Sequence, residues 1–351
     1  MQVVETFGHL VDQWSGTNPR RARWLLKTGW QAQNLKFKLT PDRRLIPADR
    51  YLAGLMMDTM LAPLKRPEES VMVSVFTPCE MMQEVGLNPY NVESFSCYLS
   101  ASYAEGMCLQ QTESAGISET LCSYHKTFIG AAEKGLLPKP RCIVYTNLMC
   151  DANLLTFRRL AQLYQVPAFA IDVPLHQTQA NVDYVAGQLR ELAAFLETHT
   201  GRKIREDALG ERLARSRRTL EKFTQFQKAR GDRYIPTDLV SPLYCGMTNN
   251  ILLGTPQEEA YVDMLLEDVK HAPPSRGKRI YWMHTIPFWS GAVKDALLFR
   301  ESAQIVGCEL SQACEPGPSD GVPRPERQRG PPHPGGHPPR QGRPGGRRGV
   351  V

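Results

Sequence analysis

Residues 142–174 read CIVYTNLMCDANLLTFRRLAQLYQVPAFAIDVP, and the fold turns on this stretch. Cys142-Ile-Val-Tyr-Thr146 is a short run of strand formers, and Asp151 to Tyr164 carries the three- and four-residue apolar spacing of a helix. Val166-Pro-Ala-Phe-Ala-Ile171 then predicts a second strand, closed by Asp172-Val-Pro174. Strand, helix and strand at this spacing make a right-handed βαβ unit on a parallel sheet.

The same grammar extends in both directions. Upstream, Val71-Met-Val-Ser-Val-Phe76 is a β-branched run closed by Thr77-Pro78, and Cys79 to Val85 reads as a helix stopped at Gly86. Downstream, Val182, Val185, Leu189, Leu192 and Leu196 mark one long amphipathic helix, and Leu209, Leu213, Leu220 and Phe223 mark a second, which together suggest an antiparallel arm. After the breaker Pro273-Pro-Ser-Arg-Gly277, Lys278 to His284 restarts a strand, Val293 to Ser302 can follow as a helix, and Ile305-Val306 begins another strand. The expected class is α/β: two Rossmann-like parallel-sheet domains with a helical arm, the second domain incomplete, and a disordered C-terminal tail. The expected boundaries are a helical segment over 1–65, a first α/β domain over 66–176, the arm and linker over 177–277, the start of a second α/β domain over 278–310, and the tail over 311–351.

Composition narrows the function. A chain of 351 residues, 42% hydrophobic and 22% charged, is long enough for about two domains of ~150 residues. Ten Pro, nine Gly and seven Arg fall between Pro316 and Val351, against two acids, so this tail carries +5 of the net +6. The body is then nearly neutral, which argues against a nucleic-acid surface there. The tail cannot bury enough apolar surface to offset its ordering entropy. The best candidate membrane span, Leu52 to Leu64, is broken by Asp58 and Pro63, and Met1 to Trp14 has no basic start or apolar core. A cytoplasmic location with no membrane attachment is expected. Nine cysteines without an export signal point to reduced thiols or metal ligands rather than a disulfide framework. Neither a CxxC pair nor a GxGxxG or Walker loop occurs in the body, so zinc ribbons and nucleotide hydrolysis lack support.

Two thiols stand where chemistry is favoured. Cys122 precedes Ser-Tyr-His-Lys-Thr-Phe-Ile-Gly130, and Cys150 lies in Asn147-Leu-Met-Cys-Asp151, where strand gives way to helix. Both are predicted at helix amino ends beside the carboxyl edge of a parallel sheet, where backbone N–H groups and the helix dipole favour anions. Against this, a single intracellular cysteine is more often a buried small residue. Glu80 opens a helix after Thr77-Pro78: it reads as a proton-transfer or substrate-orienting group, or as a first-turn carboxylate favouring the helix dipole. Cys79 reads as structural and Asp151 as a helix cap holding the Cys150 loop. His284, at the end of the strand at 278–284, reads as a substrate contact in an interdomain cleft or as a satisfied loop histidine.

The ordered set Thr77-Pro-Cys-Glu80, Gly86-Leu-Asn-Pro89, Cys122 with Gly130 eight on, Cys150-Asp151, Val166-Pro167 and Asp172-Val-Pro174 resembles the 2-hydroxyacyl-CoA dehydratase and benzoyl-CoA reductase family, from about 70 to 310. The resemblance implies two related α/β subunits, each usually holding a 4Fe-4S cluster through three cysteines, and a separate ATP-dependent activator iron-sulfur protein that injects one electron. It implies Cys122 and Cys150 as two of the cluster ligands, an acyl-CoA substrate and a paralogous partner subunit. It also implies the chemistry: one-electron reduction of the thioester carbonyl to a ketyl expels the 2-hydroxyl and acidifies the β-proton.

The pattern breaks late. The family's third cysteine comes further into the second domain, and only Cys308 and Cys314 remain here as candidates. Because Pro, Gly and Arg share GC-rich codons, we hypothesise that the chain leaves its frame near 308–315. A transcript that encodes this tail in a folded and active protein would refute this. Two other readings stay open: a non-catalytic partner that scaffolds an active paralogue without a cluster, and an RNA-binding role confined to the Arg-rich tail.

Overall fold

The computed structural model describes residues 2–148, 150–176 and 178–311; the tail and Cys314 lie outside the described residues. Three helices come first, α1 (Gln2–Thr17), α2 (Pro19–Leu39) and α3 (Pro47–Lys65). Then follow β1 (Ser70–Val73), α4 (Glu80–Glu84), β2 (Asn88–Asn91), α5 (Val92–Ala101), α6 (Gly106–Ser114), α7 (Ser123–Glu133), β3 (Cys142–Thr146), α8 (Ala152–Tyr164) and β4 (Ala168–Ile171). The remaining elements are α9 (Gln179–Thr200), α10 (Glu206–Arg230), α11 (Ser241–Ile251), α12 (Pro256–His271), β5 (Lys278–Trp282), α13 (Gly291–Leu297) and β6 (Ala303–Cys308). The class is α/β with parallel sheets, as the alternation of strand and helix requires.

Strands β1 to β4 form one parallel sheet in the order β2-β1-β3-β4. Its central strands are covered on both faces, and their side chains divide between two cores by the two-residue period of a strand. Met72, Ile143 and Tyr145 enter the larger core with Phe128, Phe157 and Leu160, whereas Val71, Val73, Cys142 and Val144 enter a second with Met82, Leu192 and Leu196. Near-continuous apolar runs are what a doubly covered parallel sheet demands. β2 escapes the sequence signal, because Asn88-Pro-Tyr-Asn91 lacks β-branched residues. It lies at an edge, where Pro89 removes no needed ladder bond, and Tyr90 is fully buried. The opposite edge, β4, exposes Ala168 and Ala170.

The arm helices have different partners. Helix α9 follows β4 and packs its Leu192 and Leu196 into the second core. Helix α10 runs alongside α12 in the same direction: Arg215 donates to Gly254 O at 3.0 Å, Lys222 meets Asp263 at 2.7 Å, and Tyr234 N–H donates to Pro273 O at 2.8 Å. Strands β5 and β6 make a separate two-stranded parallel sheet with a register shift at Ile280/Tyr281. Its core is small, with Leu239, Ile286, Leu297, Ile305 and Cys308. No helix among the described residues is long and apolar enough to cross a membrane.

Candidate functional site

In the order β2-β1-β3-β4, the connection from β1 leads to one side and that from β3 to the other. The carboxyl ends of these two strands therefore flank a topological switch point, the place where open α/β sheets bind ligands. Ser74 follows β1, and its hydroxyl accepts from Thr146 N–H at 3.1 Å and pairs with Thr77 Oγ1 at 2.9 Å. Phe76, between them, has φ 66°, so the turn after β1 holds a bulky residue in the left-handed region. Asn147 closes the other side, donating to Asp172 Oδ1 at 2.5 Å and accepting from Val173 N–H at 2.7 Å. That pair explains the Asp172-Val-Pro174 motif as the brace between the β3 and β4 loops.

Cys150 lies at this edge, half-buried, two residues before the first residue of α8. Burial raises its thiol pKa, while backbone N–H groups of Ala152 and Asn153 favour the thiolate and the nearby Glu93 and Cys122 charges oppose it. Cys122 occupies the N-cap of α7 and is exposed. The two thiols thus share one electrostatic neighbourhood although they are far apart along the chain. Gly130 permits the close approach of α7 to α6, since a Cβ at that position would collide with the carbonyl of Cys108 on α6.

Side chains without a motif complete the setting. His125, buried one turn into α7, places Nε2 3.6 Å from Cys150 Sγ and Nδ1 3.0 Å from Thr156 Oγ1. Burial lowers its pKa to about 4, so the ring is neutral near pH 7. Glu93, in the first turn of α5, accepts from Val75 N–H at 3.4 Å through Oε1, while Oε2 is buried without a partner. Burial pushes its carboxyl up to about 7. Cys97, one turn further, donates to Tyr124 Oη at 3.4 Å and is pushed by burial to about 12. The Cys122-Ser-Tyr-His125 spacing was the available signal for His125, because positions i and i+3 share a helix face.

The other candidates fall elsewhere. Glu80 begins α4 and accepts from Ser216 Oγ on α10 at 2.8 Å, so its carboxylate joins the sheet to the arm. Cys79 is buried with its thiol on Thr77 O, in keeping with a structural part. Asp151 stands at the N-cap of α8 without a side-chain capping bond; Asn153 braces the loop instead, donating to Thr146 O at 2.9 Å. A short Asp side chain in the αR conformation does not reach the N–H groups it would cap. His284 is exposed at the carboxyl end of β5 with φ 64°, its N–H donating to Glu309 Oε2 at 3.0 Å. Cys308 closes β6 with its thiol on His284 O at 3.3 Å, inside the second sheet's own core.

The iron–sulfur expectation can be tested on this donor set. Two thiols at helix amino ends suit an anionic group. Among the described residues, no three of His, Cys, Asp and Glu stand together as a metal-holding group, so residues 2–311 do not complete a three-thiolate set.

The sheet order β2-β1-β3-β4 with its switch point between β1 and β3 is that of an open parallel α/β protein, the class that binds ligands at this edge. Residues 74–326 match the family described as 2-hydroxyglutaryl-CoA dehydratase, D-component. The chain belongs to this family. It is 27% identical over 139 residues to the (R)-2-hydroxyisocaproyl-CoA dehydratase alpha subunit of Clostridioides difficile, covering 37% of this chain and 34% of that protein. It is 22% identical over 215 residues to the (R)-phenyllactyl-CoA dehydratase alpha subunit of Clostridium sporogenes, covering 58% of this chain and 52% of that protein. The chain thus spans about a third to a half of the length of these relatives.

Proposed function

We propose that the chain is a subunit of a 2-hydroxyacyl-CoA dehydratase, acting on a 2-hydroxyacyl-CoA thioester or in a related acyl-CoA reduction. The observation that carries this reading is the family match over residues 74–326; the charge of Cys122 felt at Cys150, beside the switch point of the first sheet, supports the assignment of the two thiols. In this reading they are two ligands of a 4Fe-4S cluster whose third ligand comes from outside residues 2–311. When bound, such a cluster supplies single electrons. The protein's own residues do the rest. Helix amino ends at α7 and α8 favour negative charge, and Glu93, held near neutrality by burial, can give or take a proton at Oε2. In the same proposal Glu80 orients substrate and His284 contacts it, as the sequence suggests, although Glu80 is held by Ser216 Oγ on the arm and His284 lies at the second sheet, away from the thiol edge. A paralogous dehydratase subunit and an ATP-dependent activator iron-sulfur protein are the proposed partners, in the cytoplasm.

Anaerobic reconstitution of the full chain with iron and sulfide tests the reading. The expected result is equal iron and sulfide with visible charge-transfer absorption, both lost in the Cys122→Ala and Cys150→Ala variants. Iron-free protein that still pairs tightly with a paralogous subunit would overturn it in favour of a non-catalytic scaffold.

A further inference from the structure

Helix α2 carries apolar residues on two faces, and among the described residues only the inner one is covered by the rest of the fold. That face holds Ala22, Leu26, Trp30 and Asn34, all buried, with Trp30 Nε1–H donating to Ser102 Oγ at 3.2 Å. Arg23 fixes the helix further, donating to Gly135 O just past α7 at 2.8 Å. At ~100° per residue the outer face lies opposite, where Trp24, Leu35 and Leu39 share an arc of ~60°. They are 58%, 57% and 70% exposed. Helix α1 lies alongside, with Phe7 against Gly29, and its Val3 and Leu10 are 83% and 41% exposed. The acids Glu5 and Asp12 fall on the far side of α1 from these two, and Asp12 is engaged by Met107 N–H at 3.0 Å.

Bases flank the outer stripe of α2. Arg20, Lys27 and Lys38 fall on one side of it, and Arg21 and Lys36 on the other. Lys38 is paired with Asp58 at 2.8 Å and Arg21 lies over the Trp14 ring, whereas Arg20, Lys27 and Lys36 have no ion pair among the described residues. Residues 19–44 hold eight Lys and Arg against Asp42 alone, a net +7 in a body that is otherwise net negative. An apolar stripe between two rows of bases is the pattern of a helix lying on an anionic bilayer. Tryptophan and leucine enter the acyl boundary while the long basic stems reach to the headgroups.

Charge selects the occupant. The chain's own tail carries +5, and a second copy docking through the same face brings another +7, so both are repelled. Spacing separates the remaining classes of anionic partner. Trp24 and Leu39 stand ~22 Å apart along the axis, with Thr28 and Gln31 between Trp24 and Leu35. A protein interface gathers its anchors near one centre, whereas a bilayer receives apolar side chains anywhere along a line. We propose that the outer face of α2, with α1 beside it, docks the protein on an anionic phospholipid surface. A helix lying in the interface plane needs no membrane span, so the lack of one among the described residues, on which the expectation of no membrane attachment rests, leaves this surface untouched. The inference is independent of the dehydratase reading.

The test is co-sedimentation of the full chain with vesicles of phosphatidylcholine, alone or mixed with phosphatidylserine. Binding is expected with the mixed vesicles only, falling as salt rises. Arg20→Glu combined with Lys27→Glu and Lys36→Glu should weaken it at least ~10-fold, and Trp24→Ser with Leu35→Ser roughly 10-fold. Trp24→Phe should keep binding but lose most of the quenching of tryptophan emission by brominated lipid, a readout that a folding defect would not mimic. Binding left intact by the charge reversals would overturn the proposal and assign attachment to the Arg-rich tail. Equal binding to neutral vesicles would overturn it as well. Retention on poly-glutamate without vesicle binding would overturn it in favour of an acidic protein, and loss of vesicle binding in complex with a paralogous subunit would assign the face to that subunit instead.

Discussion

The two parallel sheets are built to different standards. In the first, β1 and β3 are buried along their whole length and divide their side chains between two cores. In the second, β5 exposes Lys278, Arg279 and Tyr281, and Met283 and Trp289 beside it are 69% and 61% exposed. Parallel sheets ordinarily have both faces covered. The difference teaches where the free energy of the fold resides: in the first sheet, which also carries the thiol edge.

The largest effect separates the sheets directly. Val144→Asp places a carboxylate with no partner in the second core, among Met82, Leu192 and Leu196, and should cost more than about 4 kcal/mol, leaving little folded protein. The matched change Ile280→Asp, at a half-buried position, should cost about 1–2 kcal/mol. Denaturant unfolding compares them; equal losses would break the contrast.

A smaller effect is set by pH at the first sheet's edge. Glu93 has a folded pKa raised from 4.5 to about 7, so the folded state binds more protons than the unfolded state between these values. Stability from this group is full below about 4.5, declines as pH rises and is lost above about 7, for a total of order 3 kcal/mol. Glu93→Gln should remove this decline and make the variant more stable than the parent at pH 8. A stability–pH curve with the same slope in both proteins would count against the burial of Glu93. The smallest effect belongs to the second sheet: His284→Gly relieves φ 64° but adds chain entropy, so the melting free energy should move within about 0.5 kcal/mol.

The sequence made the β3-α8-β4 unit legible because each part declares itself locally: a β-branched run, an amphipathic period, a second run after a stop. β2 could not be read, since Asn88-Pro-Tyr-Asn91 becomes a strand only by burial of Tyr90 beside β1. The arm helices were legible individually, but the partnership of α10 with α12 depends on ion pairs such as Lys222–Asp263 that no periodicity reveals. Within the site, Cys122 and Cys150 were visible from their places before helices. His125 was marked only by its i, i+3 spacing from Cys122 and Glu93 by nothing, because one otherwise looks like an ordinary buried helix residue and the other like a first-turn acid. Their roles arise from the packing of α7 on α8 and from the turn after β1, which are tertiary facts.

The outer margin of β4 has a practical side. Ala168-Phe-Ala-Ile171 carries no charge, and no other described strand pairs with its free flank; β2, at the opposite edge, is broken by Pro89 instead. Such a border is a ready template for zipping backbone to backbone with an extended peptide, so aggregation that grows with concentration is the expected hazard of this edge.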